Sequence, residues 1–122
     1  MNRCARTLLI VDDDTLFARA LSGDLASDEL GVVLASTCAE AVRARHESPP
    51  DVVLLDQRLP DGPGASLCPT ILAANERAKI VFATALPSFE NALEAVRTGA
   101  VDYVSKPCEL EQIRLVVARC LR

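Results

Sequence analysis

The sequence predicts a doubly wound α/β fold, a five-stranded parallel sheet of order 2-1-3-4-5 with helices on both faces. Three observations lead there. Five short β-rich apolar runs alternate with helical patterns along 122 residues, without repeats or low-complexity stretches. That length suits one domain, taken as residues 1–122. The first, third and fourth runs are continuously apolar, which is how strands read when helices cover both faces. Half of the residues are hydrophobic, enough to line both sides of a small sheet.

The first strand is Thr7-Leu-Leu-Ile-Val11. Asp14 can cap the helix after it, in which Phe17, Leu21 and Leu25 recur at four-residue spacing. The second strand, Gly31-Val-Val-Leu-Ala35, is weaker. Thr37-Cys-Ala-Glu40 is a capping box opening a helix that stops before Pro49-Pro50. Asp51-Val-Val-Leu-Leu55 is the third strand. The helix around Leu67 to Ala74 contains Pro69, so it starts late with Pro69 in its first turn, or it kinks there. Lys79-Ile-Val-Phe-Ala83 is the fourth strand. Ser88 can cap a helix with Phe89, Ala92, Leu93 and Val96 on one face, ended by Gly99. The fifth strand, Val101-Asp-Tyr-Val104, is broken by Asp102. After Pro107, the residues Leu110, Ile113, Val117 and Leu121 make the last apolar stripe. Strands two and five are the expected sheet edges.

Composition removes several functions. A net charge of −4, from 13 Lys+Arg against 17 Asp+Glu, speaks against direct nucleic-acid binding, which needs a basic face. One Tyr, three Phe and no Trp leave no stacking platform for bases. The run Leu8 to Val11 is far too short to span a membrane, and Asp12 interrupts it before a secretory signal could form. The five cysteines, Cys4, Cys38, Cys68, Cys108 and Cys120, are odd in number and include no C-x-x-C. Neither a zinc knuckle nor a disulfide framework is indicated, and reduced thiols in a cytoplasmic protein are expected. His46 sits far from the strand ends and is expected to be solvated.

The strand ends carry the chemistry. In a doubly wound sheet, ligands bind at the carboxyl ends of the strands flanking the reversal of winding. Strand one ends in Asp12-Asp13-Asp14, strand three in Asp56 and strand four in Thr84, and strand five runs into Lys106-Pro107. Clustered carboxylates repel one another and need a compensating charge. An oxygen-seeking dication, Mg²⁺ above all, supplies it, with Lys106 completing the site. A carboxylate held beside Mg²⁺ can attack a phosphoryl group in line, while metal, lysine and hydroxyl neutralise its equatorial oxygens. Singly, each residue has a plainer reading: Asp14 is a helix cap, Thr84 a packing residue, Lys106 a solvated cation. Their joint placement at four strand ends favours the chemistry.

The stretches Leu8-Leu-Ile-Val-Asp-Asp-Asp14, Val52-Val-Leu-Leu-Asp-Gln-Arg-Leu-Pro60 with Gly64, Val81-Phe-Ala-Thr-Ala85 and Gly99-Ala-Val-Asp-Tyr-Val-Ser-Lys-Pro107 resemble a response-regulator receiver domain of two-component signalling, from Thr7 to Leu121. The resemblance implies a flavodoxin-like fold with Asp56 as phosphoacceptor. It implies Mg²⁺ at Asp12 and Asp13, with Asp13 the direct ligand and the backbone carbonyl of Arg58 a further one. Thr84 and Lys106 would contact the phosphoryl oxygens, and Lys106-Pro107 would be cis. The donor would be a phosphohistidine on a sensor histidine kinase, with small acyl phosphates as substitutes. On phosphorylation Thr84 would move, Tyr103 would turn inward, and the surface of helix four, strand five and helix five would be offered to an effector or to a second copy in a homodimer. A transcriptional effector is expected. A static, half-buried Tyr103 is the other reading of that residue. The domain is expected to be a switch and not an enzyme, catalysing only its own phosphotransfer and slow dephosphorylation.

Some positions depart from the family pattern. Cys108 stands where a Phe commonly follows Lys-Pro, Pro69 lies within the third helix, and Leu86-Pro87 could stiffen the loop after Thr84. Arg58 and Leu86 line the family's hydrolytic-water path, implying a phosphoryl lifetime unlike that of a fast-resetting regulator. Other classes fit less well. A haloacid-dehalogenase-type phosphohydrolase needs an acid two residues after its nucleophile, where Arg58 stands. A flavodoxin-like FMN carrier would have its phosphate repelled by Asp12-Asp13-Asp14. A non-phosphorylated, receiver-like interaction module stays open. The segment from Tyr103 to Val117 is similar to receivers that precede an ATPase module in bacterial enhancer-binding activators. With Arg122 following the last helix, a stand-alone regulator and a piece of a longer one are both open.

Overall fold

The computed structural model describes residues 6–85 and 87–122. Cys4 and Leu86, both singled out in the sequence, lie outside the described residues. Strands β1 (Arg6–Val11), β2 (Leu30–Ala35), β3 (Val52–Asp56), β4 (Lys79–Thr84) and β5 (Asp102–Ser105) form one parallel sheet. Its order is β2-β1-β3-β4-β5, so the two weak runs are the edges, as their sequences indicate. The helices are α1 (Thr15–Leu25), α2 (Cys38–Glu47), α3 (Cys68–Ala74), α4 (Phe89–Arg97) and α5 (Leu110–Cys120). Between β3 and α3, Arg58–Leu59 pairs antiparallel with Gly62–Pro63 in a small hairpin.

Strand alternation divides the core. Leu8, Ile10, Val52, Leu54 and Val81 join the face covered by α1 and α5. Leu9, Val11, Val53, Leu55, Ile80 and Phe82 join the face covered by α2, α3 and α4. The central runs are apolar throughout because successive side chains enter two different cores.

The helix starts follow the sequence closely. Asp14 accepts a hydrogen bond from the Phe17 N–H (3.1 Å), and Thr37 accepts from Glu40 (3.1 Å). The capping box is displaced by one residue, however. The Glu40 carboxylate takes the N–H and hydroxyl of Ser36 (2.7 and 2.9 Å) and not the N–H of Thr37. The third helix starts late: a 3₁₀ turn over Gly64–Leu67 precedes α3, and Pro69 falls in its first turn, where no backbone donor is missed.

Two stripes sit differently from a simple amphipathic reading. In α4 the face bearing Phe89 and Val96 is turned to solvent (79% and 70% exposed), and the residue buried against the sheet is Ala95. In α5 the buried residues are Ile113, Val116 and Val117, with Leu110 at the rim. Gly99 follows the C-cap of α4, Thr98, as its place in the sequence suggests.

Candidate functional site

Strands β1 and β3 are neighbours with Val11 opposite Leu55, so Asp12 and Asp56 emerge side by side at their carboxyl ends. One carboxylate oxygen each from Asp12, Asp13 and Asp56 can be chosen such that all lie within 4.8 Å of one another. The three differ in environment. Asp12 is 3% exposed, Asp56 is half-buried and Asp13 is exposed. Asp12 also accepts the N–H of Asp14 at 2.9 Å, turning the chain toward α1.

Lys106 reaches the cluster from the far end of the sequence. Its Nζ lies 2.5 Å from Asp12 Oδ2 and 3.5 Å from Asp56 Oδ2. The ammonium also sits over the Phe17 ring, 4.7 Å from the centroid, a cation–π contact. Burial pushes the Asp12 carboxyl above its ordinary range, and the hydrogen bond and charge of Lys106 only partly offset that. For Lys106, burial alone would favour the neutral amine. The hydrogen bond to Asp12 and the charges of Asp12 and Asp56 outweigh it and hold the ammonium above its usual value. The Lys106–Pro107 peptide is cis.

The neighbouring strands supply the rest of the set. Asp56 pairs with Ala83, which puts Thr84 one step further along β4, where it is buried. The Thr84 carbonyl accepts the N–H of Lys106 at 2.7 Å, fastening the two strand ends together. The N–H of Arg58 donates to Asp56 Oδ1 at 3.2 Å, and the Arg58 side chain is exposed. Tyr103 is half-buried on the edge strand, and its hydroxyl accepts the N–H of Ser88 at 3.4 Å. Asp12, Asp13 and Asp56 are therefore in mutual reach, Lys106 contacts Asp12 and Asp56, Arg58 touches Asp56 through its backbone, and Tyr103 lies apart against the start of α4. His46 is exposed on α2. Cys38, Cys68, Cys108 and Cys120 are free thiols, each pushed up by burial.

Four further residues shape the site without having been assigned a place in it. A Cβ on Gly64 would lie 2.0 Å from the Asp56 carbonyl oxygen, so only glycine lets the hairpin close against the backbone of β3. Phe17 reads as part of the α1 stripe, and nothing in the sequence ties its ring to Lys106. Gln57 Nε2 donates to the Asn91 carbonyl in the first turn of α4 (3.0 Å), while its Oε1 is buried without a hydrogen bond. Beside it a cleft of about 500 Å³ opens, lined by Gln57, Arg58, Leu59, Thr84, Asn91 and Glu94. Asp61 accepts the N–H groups of Cys38 and Ala39. Pro60-Asp-Gly62 reads only as a turn signal.

Chemically the cluster is a set of hard oxygen donors, one of them desolvated, with a single ammonium against three carboxylates. Such a set fits a hard dication that keeps part of its water shell.

The model of the response regulator receiver domain matches residues 8–118. The chain is 32% identical over 108 residues to the acid tolerance regulatory protein ActR of Rhizobium meliloti (strain 1021), covering 88% of this chain and 56% of that one. It is 35% identical over 115 residues to the regulatory protein AtoC of Escherichia coli (strain K12), covering 94% of this chain and 25% of that one. It thus spans about half and a quarter of these relatives' lengths. Among solved structures, a two-component response regulator from Clostridium difficile superposes with a TM-score of 0.88 at 31% identity, covering 96% of each chain. A CheY-like receiver domain protein from Methanospirillum hungatei JF-1 gives 0.87 at 26% identity, covering 95% and 93%.

Proposed function

The chain belongs to the response regulator receiver domain family, and from that membership we propose that it is a phosphorylation-dependent switch whose phosphoacceptor is Asp56. The observation that carries this reading is the Lys106 ammonium, held between Asp12 and Asp56 beside three converging carboxylates. Mg²⁺ fits the donor set, with Asp12, Asp13, Asp56 and the Arg58 carbonyl as its protein ligands; when bound it supplies the charge that lets an anionic nucleophile meet an anionic phosphoryl group.

The chain's own residues do the rest. An Asp56 carboxylate oxygen forms the new P–O bond as the N–P bond to a kinase histidine breaks, and the imidazole leaves neutral, having taken up one proton. Arg58 N–H and Lys106 Nζ hold the two Asp56 oxygens at 3.2 and 3.5 Å, orienting the side chain before attack. The Phe17 ring closes one side of the ammonium, so its N–H bonds are directed at the carboxylates and then at the phosphoryl oxygens. The Thr84 hydroxyl donates a further hydrogen bond to them. Arg58 stands where a hydrolase of the same chemistry needs an acid, which supports a switch that catalyses only its own phosphotransfer and slow dephosphorylation.

The partner on the input side is a sensor histidine kinase, with small acyl phosphates as chemical substitutes. On the output side Tyr103 turns and the α4–β5–α5 face is presented to an effector, or to a second copy in a homodimer. A transcriptional output is in keeping with regulatory relatives such as ActR and AtoC. Residues 1–122 act as one receiver domain in the cytoplasm, without direct nucleic-acid contact. Among the described residues no helix is long and apolar enough to cross a membrane.

The test is the mass of the intact protein after incubation with acetyl phosphate, with and without Mg²⁺, beside Asp56→Asn. One hydroxylamine-labile phosphoryl adduct that requires Mg²⁺ and is absent from the variant is expected. No adduct from acetyl phosphate or from a phosphorylated kinase would leave an interaction module in its place.

A further inference from the structure

The hairpin between β3 and α3 is fastened at both ends, and one fastening comes from a carboxylate outside the acidic cluster. Asp61 lies at the hairpin tip, between Arg58–Leu59 and Gly62–Pro63. Its side chain leaves the loop altogether. Oδ1 accepts the N–H of Cys38 at 2.8 Å and Oδ2 accepts that of Ala39 at 3.1 Å. These are the first two residues of α2, and the third, Glu40, is bonded by Thr37. A helix leaves its first N–H groups without partners of its own, and its dipole favours a carboxylate there. The two backbone bonds hold the Asp61 carboxyl below its ordinary range. The Cys38 Sγ, 3.9 Å from the carbonyls of both Gly62 and Pro63, adds a second point of contact.

The other end of the hairpin is closed by the Gly64 N–H on the Gln57 carbonyl at 3.0 Å, with Gly64 pressed against the Asp56 backbone. Arg58 lies between these two fastenings, its N–H on Asp56 Oδ1. The backbone of Arg58 cannot shift relative to Asp56 without moving a tip that is pinned to a different helix.

We propose that Asp61 is a positioning residue for the acidic site: by clamping the hairpin to the start of α2 it fixes the Arg58 carbonyl relative to Asp12, Asp13 and Asp56, and so sets the affinity for the divalent cation. The inference rests on the phosphoacceptor reading, because it needs that carbonyl as a ligand. Asp61 touches no reacting atom and acts only through the backbone it holds. Groups that orient ligands from behind typically change metal affinity by about 10- to 100-fold when removed.

The test compares Mg²⁺ affinity, by calorimetric titration, in the wild type, Asp61→Ala, Asp61→Asn and Thr37→Ala. Thr37→Ala removes a cap from the same helix and leaves the hairpin clamp in place, so it controls for simple loss of α2 stability. Asp61→Asn keeps one acceptor oxygen and carries the comparison if Asp61→Ala does not fold. Mg²⁺ binding weakened about tenfold in Asp61→Ala, less in Asp61→Asn, and within twofold of wild type in Thr37→Ala is expected. Wild-type affinity in both Asp61 variants, or an equal loss in Thr37→Ala, would overturn the proposal. A wild type that binds no Mg²⁺ would overturn the phosphoacceptor reading, and the positioning role with it.

Discussion

The two sides of the acidic cluster are built to different standards of rigidity. On one side α2, the hairpin and α3 bury Ala41, Leu59, Leu67, Cys68 and Ile71, and Asp61, Thr37 and Glu40 satisfy the N–H groups where α2 begins. On the other side α4 fully buries one residue, Ala95, and leaves Phe89 and Val96 exposed. The hydrogen bonds that tie its first turn to the rest include Gln57 to the Asn91 carbonyl and Ser88 to the Tyr103 hydroxyl. An element that buries little apolar area opens at low free energy, whereas a packed, cross-linked one moves only with the whole fold. The first side therefore sets the geometry of the carboxylates. Under the proposed function the second, facing the hairpin across a cleft of about 500 Å³, is the side on which a phosphoryl group at Asp56 shifts a population.

The largest expected effect is on stability. Ile71→Ala, in α3, should lower the unfolding free energy by about 2–5 kcal/mol in urea titrations, the usual result of emptying a filled core site. Phe89→Ala, in α4, should stay within about 0.5 kcal/mol of wild type, as exposed positions do. Equal losses in the two variants would break the comparison. Next comes Gly64→Ala. Its Cβ would fall 2.0 Å from the Asp56 carbonyl oxygen, and the hairpin must shift, costing roughly 1–3 kcal/mol. Phosphorylation by acetyl phosphate should slow by about a hundredfold, because an ångström of misplacement is felt at the reacting atoms. A Gly64→Ala protein phosphorylated at the wild-type rate would mean the hairpin does not hold the site.

The smallest effect sharpens the contrast through pH. Backbone hydrogen bonds hold the Asp61 and Glu40 carboxyls below their ordinary range. A carboxyl depressed in the folded state adds stability above its unfolded pKa and loses it as pH falls through the folded one. The stability difference between wild type and Asp61→Asn should thus be full near neutrality and shrink below about pH 4. A difference that grows on acidification would reverse the assignment.

Much of this was legible in the sequence, for a topological reason. In a doubly wound sheet the residues that follow each apolar run land at the carboxyl end of the sheet, so Asp12, Asp56, Thr84 and Lys106 gather from topology alone. The caps Asp14, Thr37 and Ser88 were equally readable, because their partners lie within three residues. What stayed hidden depends on contacts made at a distance. The stripe Phe89, Ala92, Leu93 and Val96 says that a helix forms but not which side meets the sheet, and the buried Ala95 carries little hydropathy signal. Asp61 reads as part of a Pro-Asp-Gly turn, while its partners lie 22 and 23 residues upstream. Glu40 fits a capping box with Thr37, yet Ser36 offers two donors to the same carboxylate.

The most direct measurement is amide hydrogen exchange across the chain before and after phosphorylation with acetyl phosphate and Mg²⁺, with Asp56→Asn as the blank. Exchange should change in residues 87–105, covering α4 and β5, and at Asp56 to Arg58, where the phosphoryl group and Mg²⁺ bind, and stay as it was in residues 36–48 and 59–71, covering α2, the rest of the hairpin and the start of α3. Equal changes on both sides, or changes confined to α2 and the hairpin, would contradict a switch built from one fixed wall and one movable one.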